Sequence, residues 1–508
     1  MLKFISRLGN LYRNLKAMSS TSFHGASLSY RMRDWGTRSA GPNYSLSDSL
    51  TTVIKRSLDL DRNNPNAQGG IDSFVSNMVG RGITPRWETG SDKLNRQIQD
   101  LWKLSVDELD GSVCELDFYG MQEQVARSQL TCGGVLCQFL YRRRNSNLSV
   151  PLQLKLIENV QLYDAMDEDL GNGNTIRMGI EINAQGERVA YHIYPEHPWD
   201  NYSYKSSLLP IRVPKSDMLH IYHPRRPGQL RGWPGMASVI TRLHSFDEVE
   251  DAELDRKKIA AMYAGFITSP SGDPDISGLP GLSFDYDGDS NYGDDLVGLT
   301  PGIIQSLRPG ESIEWSKPAD VGDNYQTWVK QTLRCIAKGM GITYEQLTGD
   351  LSDVNYSSIR AGLVEFYRLC RQRQANIMVH KFCRPVTTKW LDQAVLSGRI
   401  FIPRYLNNRS QIIHNVWDPD GWAWVDPEKE VRAEIRSIRA GLKSRAQSVA
   451  ERGHNVVDID SQIADDNSRT DESGIILDSD PRNTTQTGGA REKSQPQSQS
   501  QGGPNGIN

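Results

Sequence analysis

No stretch of this 508-residue chain approaches the roughly 18 uninterrupted apolar residues that a membrane-spanning helix needs, so no span is expected. Cysteine is scarce. The six residues Cys114, Cys132, Cys137, Cys335, Cys370 and Cys383 show no zinc-like pairing and sit within apolar patterns, which predicts buried, reduced thiols and assembly in a reducing cytoplasm. The word GxxxxGK[ST] is absent, and with it the amides, lysine and hydroxyl that must converge on nucleotide phosphates. Gly339-Met340-Gly341 is too short to cradle a phosphate and reads as a helix end. No GxSxG elbow or HExxH motif occurs. His192/His197 and His220/His223 lack a third ligand and read as ordinary, partly buried imidazoles. No catalytic, cofactor-binding or metal residue is assigned. Net charge is only −4, which excludes a generic nucleic-acid binder and leaves local charge to carry the argument.

What is present begins with His220 to Gly265. Pro224, Pro227, Gly228, Gly232, Pro234 and Gly235 forbid regular structure in a basic loop, because proline removes a donor and glycine permits positive φ. From Ala237 to Ala264 there is neither Gly nor Pro. Val239, Leu243, Phe246, Val249, Leu254 and Ile259 recur at mostly helical steps. Asp247, Glu248, Glu250, Asp251, Glu253 and Asp255 crowd successive turns of the same segment. A solvated surface helix is the plain reading of that pattern.

Elsewhere, the length suggests about three domains, and 37% apolar residues suffice for a core. Helices are expected at Ala67 to Val79 and Asp92 to Leu109. Strands are expected at Val135 to Tyr141, Leu152 to Ile157, Ile176 to Ile182 and Arg188 to Tyr194, the last two flanking a turn at Asn183 to Gly186. Between Ile259 and Leu307 there is no Lys or Arg, yet there are seven aspartates. An EF-hand counted from Asp285 would need Gly and Glu where Ser290 and Leu296 stand, so an acidic loop is expected there instead. Gly302 to Leu307 and Ser312 to Trp315 are strand-like. Tyr325 to Lys338 is helical, with Lys330, Arg334 and Lys338 four residues apart on one face. Those cations either pair with Asp247, Asp251 and Asp255 or face phosphates, and pairing is favoured. Ser357 to Leu396 is a long periodic segment that Pro385 must kink or break. Trp417 to Trp424 reads as a turn-rich aromatic patch, and Pro427 opens a helix to Gly441. Past Asp465 the composition turns Ser-, Gln-, Asn- and Gly-rich and is expected to be disordered. The N-terminus is a basic amphipathic segment, suited to docking on a protein surface and, less readily, to a membrane surface or a transit peptide.

Several of these words, in order, resemble the lambda-type portal proteins of tailed bacteriophages. They are RxGQxRGxP before an acidic helix ending AAxxAGFI, DLDRNNPNAQGGIDSFVSNMVGRGITPR (Asp59 to Arg86), and LDFYGMQEQVARSQLTCGGVLCQFLYRR (Leu116 to Arg143). LQLKLIE, GIEINAQGERVAYHIYPEHP, NYSSIRAGLVEFYR and WVDPEKEVRAEIRSIRAGLKSRAQSVAERG complete the series. Trp233, where a small aliphatic is more usual, and the Cys-containing segment Leu130 to Cys137 depart from the pattern.

The resemblance implies a mixed α+β portal fold that forms a homo-oligomeric ring, a dodecamer, with no cofactor and no enzymatic activity. It implies a basic arm (1–40), an α/β wing (41–235), a stem helix (236–264), a clip (265–322), a second stem helix (323–342), a tunnel loop (343–356), a long kinked helix (357–400), a crown (401–464) and a tail (465–508). Stem charges would be Asp247, Glu250, Asp251, Glu253, Asp255, Lys330, Arg334 and Lys338. The clip would carry Asp273, Asp285, Asp287, Asp289, Asp294 and Asp295, and the tunnel loop Asp350, Ser352, Asp353 and Asn355. Implied partners are double-stranded DNA in the channel, the terminase large subunit, major capsid and scaffold proteins, and neck proteins. An anionic bore would repel DNA evenly and let it slide, whereas a cationic one would arrest it. A nucleic-acid-processing enzyme or a non-conducting adaptor are the competing readings.

Overall fold

Leu46, Leu50 and Ile54 recur every fourth residue in a Ser- and Thr-rich segment, and helix α1 (Pro42–Asn63) buries that stripe. The sequence reading assigned no helix here, because three apolar positions among so many small hydroxyl residues give a weak period. The computed structural model describes residues 40–164, 166–200, 209–261, 265–268, 312–315, 324–352, 354–422 and 426–475, together with 477, 480 and 482. Asn64 ends α1, and its side-chain oxygen accepts the Ala67 amide at 2.8 Å, so one residue stops one helix and caps the next, α2 (Pro65–Val79). Strand β1 (Thr84–Trp87) and helix α3 (Asp92–Ser105) follow. The helix expected to reach Leu109 tightens into a 3-10 turn at Val106–Glu108. Helix α4 (Phe118–Thr131) is capped by Asp117, which accepts the Gly120 amide.

Strands β2 (Gly134–Tyr141) and β3 (Leu152–Glu158) form where strands are expected, and they pair antiparallel with each other. A five-stranded antiparallel sheet then runs in order: β4 (Glu168–Asp169), β5 (Thr175–Arg177), β6 (Ile180–Ile182), β7 (Arg188–Ile193) and β8 (Ile211–Pro214). The single strand expected at Ile176 to Ile182 is in fact two. Met178 and Gly179 take φ of 51° and 76°, so Arg177 turns back onto Ile180. The hairpin around Asn183 to Gly186 forms as the sequence indicates. Strand β9 (Met218–Tyr222) returns to the free edge of β2, giving the order β3-β2-β9.

After a 3-10 turn at Gly235–Ser238 comes the long helix α5 (Ile240–Ala261). Strand β10 (Gly265–Thr268) pairs antiparallel with β11 (Ser312–Trp315). The expected strand at Ser312 to Trp315 therefore has Gly265–Thr268 as a partner, while Gly302 to Leu307 lies outside the described residues. Helix α6 (Tyr325–Met340) ends at Gly341, whose φ of 82° makes it the left-handed cap. A short helix, α7 (Tyr344–Thr348), precedes α8 (Tyr356–Arg373).

The backbone then passes through a π-helical segment (Gln374–Cys383) into α9 (Arg384–Leu396). Of the kink or break expected at Pro385, no break forms, and the irregularity takes the form of the π segment just before it. Cys383 and Arg384 stay in the right-handed helical region, and the π segment immediately upstream accommodates the proline at the first turn of α9. Helix α10 (Tyr405–Ile412) leads to β12 (Asn415–Asp418), which pairs with β1. Trp417 thus belongs to a strand rather than to the expected turn-rich patch. Helices α11 (Pro427–Arg439), α12 (Arg445–Ala450) and α13 (Val456–Glu472) complete the order. Helix α13 runs past Asp465, where the sequence reading had periodicity end, because Asn455 caps its start and i,i+3 pairs such as Arg469–Asp466 support its polar face.

The core centres on Trp102, which meets Phe118 and Trp390 edge-on at 5.2 and 5.0 Å, with Trp87 at 5.9 Å. Residues from β1, α3, α4 and α9 are thereby locked together, Trp87 and Trp390 lying just over 300 positions apart in sequence. Among the described residues, no helix is long and apolar enough to cross a membrane.

Candidate stem and tunnel-loop site

Helices α5 and α6 bracket the insertion between residues 262 and 323 and run antiparallel. Val239 lies against Gly339 at one end, and Phe246 stacks on Trp328 at 6.0 Å further along. Trp328 also stacks on Tyr325 at 6.2 Å, and Lys257 lies 5.9 Å over the Tyr325 ring. Apolar packing therefore holds this pair. The sequence reading favoured charge pairing instead, but among the described residues no ion pair joins Lys330, Arg334 or Lys338 to Asp247, Asp251 or Asp255. Phe246 reads in sequence as one member of an apolar stripe and Tyr325 as the start of a helix, and nothing in their spacing announces that Trp328 stacks on both.

The six acids of α5 do not form one uniform stripe. Glu253 is buried, and Arg256 grips it through two bonds of 2.8 and 2.6 Å, with Lys257 at 3.6 Å. Those bonds from Arg256 hold the Glu253 carboxyl below its ordinary range. Asp255 pairs with Lys258 at 3.0 Å. The block Arg256-Lys257-Lys258, overlooked beside the acidic run, neutralises that end of the helix. Asp247, Glu250 and Asp251 have no cation partner among the described residues. Partial desolvation, and then the neighbouring Asp247 and Asp251 charges, raise the Glu250 carboxyl.

On α6 the cations turn towards the loop after α7, read from sequence as a tunnel loop, and towards solvent. Lys330 Nζ lies 3.8 Å from an Asp350 oxygen, and the Arg334 guanidinium sits 5.4 Å over Tyr344. Lys338 is exposed. Asp350 is the hub of the loop: it accepts the Ser352 hydroxyl at 2.6 Å, the Ser352 amide at 3.0 Å and the Tyr344 hydroxyl at 3.1 Å. The Ser352 bonds come first in holding its carboxyl down at about 2, with Tyr344 and Lys330 adding to them. Asn355 caps α8 through the Ser358 amide at 2.9 Å, and Ser358 returns the bond. Two of the four tunnel-loop residues named from sequence, Asp350 and Asn355, thus tie the loop to its own helices. Asp353 and the clip residues Asp273, Asp285, Asp287, Asp289, Asp294 and Asp295 lie outside the described residues.

Among the described residues no group of three or more His, Cys, Asp or Glu side chains is placed to hold a metal ion. His220 is buried with its Nδ1 2.9 Å from Arg188, and burial followed by the charges of Arg188, Arg231 and Lys381 keeps it neutral. Four cysteines are buried as expected, but Cys114 is exposed and Cys335 partly so.

Residues 29–374 match the profile described as "Phage portal protein, lambda family". The chain belongs to the lambda family of phage portal proteins. It is 23% identical to the portal protein of Escherichia phage N15 over 487 residues, 87% of this chain and 88% of that one. Against portal protein B of Escherichia phage lambda it is 22% identical over 481 residues, with the same two shares. The probable portal protein of Halomonas phage phiHAP-1 is 28% identical over 331 residues; the match covers 63% of this chain and spans 61% of that protein's length. Among solved structures, a chain from the neck of a native gene transfer agent particle with C12 symmetry has a TM-score of 0.42 at 15% identity, covering 78% of this chain and 92% of its own. A chain from the native gene transfer agent virion has 0.43 at 14%, covering 82% and 94%.

Proposed function

We propose that this chain is the subunit of a ring seated at one vertex of a phage capsid, through which duplex DNA enters and later leaves. The carrying observation is the family match across residues 29–374, which takes in the α/β body, both bracketing helices and the loop after them. The family is a structural one, and the role is passive: to hold a passage open, dock the terminase large subunit and neck proteins, and nucleate assembly with capsid and scaffold proteins. The unit boundaries follow the sequence reading, with 41–235 as wing, α5 and α6 as stem, 265–322 as clip, 343–356 as tunnel loop, and a crown extended to the end of α13.

The wall charge facing DNA is assigned to Glu250, to the clip aspartates Asp273, Asp285, Asp287, Asp289, Asp294 and Asp295, and to Asp353 of the tunnel loop, where Ser352 adds a polar hydroxyl. Duplex DNA carries one negative charge per about 1.7 Å, and the screening length in the cell is about 8 Å. A negative wall therefore repels only at close approach, which centres the duplex without gripping it. Glu253 is excluded from this role by its own-helix partners. Electron microscopy of the purified chain tests the reading: rings with a bore wide enough for duplex DNA support it, and monomers or closed discs count against it. Reversing the clip aspartates to lysine in an assembling particle should lower DNA packaging, and unchanged packaging would remove the wall-charge assignment.

A further inference from the structure

Two rows of charge on the α5–α6 pair have no opposite charge beside them among the described residues. On α5, Asp247 and Asp251 stand four residues apart on the arc that also carries Leu254, which is 52% exposed. At 3.6 residues per turn that arc lies about 80–140° round the helix from Phe246, flanking the face that meets α6. On α6, Arg334 and Lys338 stand four residues apart on the side opposite the buried Leu333, Ile336 and Met340. Arg334 lies over the Tyr344 ring, and neither it nor Lys338 has a carboxylate partner among the described residues. Both rows have the same spacing, about 6 Å along the axis.

Within one copy the two rows cannot meet, because the Phe246–Trp328 clasp turns them to opposite sides of the pair. Between copies they can. We propose that the Asp247/Asp251 row of one copy receives the Arg334/Lys338 row of the next, forming the seam between stems in the ring. A head-to-tail contact of this kind uses two different patches per copy, and it closes into a ring when its rotation divides the circle. Complementary charge sets register in such contacts. Leu254 beside the aspartates favours a protein occupant over DNA, since an exposed leucine gains nothing from a phosphate backbone. The pairing also removes Arg334 and Lys338 from the bore, where they would retard a sliding polyanion.

This inference rests on the ring reading above, and the test separates the two. Wild type, Asp251→Arg, Arg334→Asp and the double variant Asp251→Arg/Arg334→Asp are compared for ring formation by mass photometry and negative-stain microscopy across a salt series. Circular dichroism confirms folding of each. Each single reversal should raise the concentration for half assembly roughly tenfold, and the double reversal should recover most of that loss. Singles that assemble like wild type, or a double no better than either single, overturn the seam while leaving the ring intact. A wild-type chain that forms no ring overturns the portal reading itself.

Discussion

The buried guanidinium of Arg231 donates to the main-chain carbonyl of Asn159 at 2.5 Å and reaches the Leu162 carbonyl at 3.5 Å. Asn159 in turn donates its side-chain amide to the Cys132 carbonyl at 3.0 Å. The RxGQxRGxP word is thus a knot that ties the loop after β9 to the ends of α4 and β3. Gln229 closes it, accepting the Arg225 and Arg226 amides and donating to the Arg231 carbonyl at 2.6 Å. Gly232 passes so close to Gly133 that any side chain there would overlap its carbonyl.

Replacing Arg231 by Met should therefore leave buried carbonyls unpaired and lower stability by about 2–4 kcal/mol. The readout is the midpoint of the first thermal transition. Arg231→Lys should recover less than half of the loss, because an ammonium cannot fork between Asn159 and Leu162. A Met variant that melts with wild type would show the knot to be energetically idle.

Much of this fold is legible in sequence where a local rule decides it. Asn64-Pro65 both stops and starts a helix, and Asn183 to Gly186 is a turn by its own chemistry. The legibility fails where distant residues decide. Met178 adopts a left-handed φ because the β5–β6 pairing demands it, and nothing in its type announces this. The α5–α6 contact is hidden for the same reason: opposite charges at matched spacing suggest a pair, while the contact that forms is between aromatic rings that packing, not spacing, brings together. The six carboxylates of α5 are visible in sequence, but which are neutralised depends on the rotamers of Arg256, Lys257 and Lys258.

The aromatic clasp gives a second prediction. Trp328→Ala removes the rings stacked on Phe246 and Tyr325, and should cost about 2–4 kcal/mol of local stability, given the half-exposed position of the indole. Hydrogen exchange should accelerate in residues 240–257 and 325–340 and not in the β2–β3–β9 sheet. Uniform protection in both regions would mean that α5 and α6 are held by something else.

Acid should weaken the contact between β9 and the π segment before it titrates the loop after α7. Burial, with the charges of Arg373, Arg225 and Lys381, lowers His223 to about 4, and His220 is lowered well below 6.5. The unfolded chain takes up these protons first, so the stability they represent is present above about pH 6.5 and is lost as pH falls towards 4. A loss of roughly 1–3 kcal/mol over that window is expected from His223 after allowance for its partial exposure. His223→Gln should flatten the pH dependence of the thermal midpoint between pH 6.5 and 4. A slope identical to wild type would contradict the assignment.

Thiol chemistry should divide the cysteines cleanly. Burial raises Cys132 and Cys370 to about 12, and raises Cys137 and Cys383 as well. Cys114 is exposed. A maleimide at pH 7 should label Cys114 within minutes, Cys335 more slowly, and the other four only after denaturation. Peptide mapping showing early modification of Cys137 or Cys383 would mean that the core around β2 and the π segment opens far more often than its packing implies.

The loop between α7 and α8 offers the sharpest separation of local order from global stability. Asp350 gathers Ser352 and Tyr344 and faces Lys330, and its carboxyl is held at about 2 against an ordinary 3.8. A depressed carboxylate stabilises above its unfolded value and loses that contribution only as pH falls through the folded one, so the clasp is intact throughout pH 4–8. Asp350→Ala removes every one of these bonds while leaving the buried faces of α6 and α8 untouched. The thermal midpoint should move by no more than a degree or two, but limited proteolysis between Gly349 and Asn355 should speed up about tenfold, because local opening no longer has to break the Asp350 contacts. Asp350→Asn should fall between the two, since it can still accept from Ser352 but carries no charge for Lys330. Equal cleavage rates in all three chains would show that the loop is ordered by the caps at Thr343 and Asn355 alone.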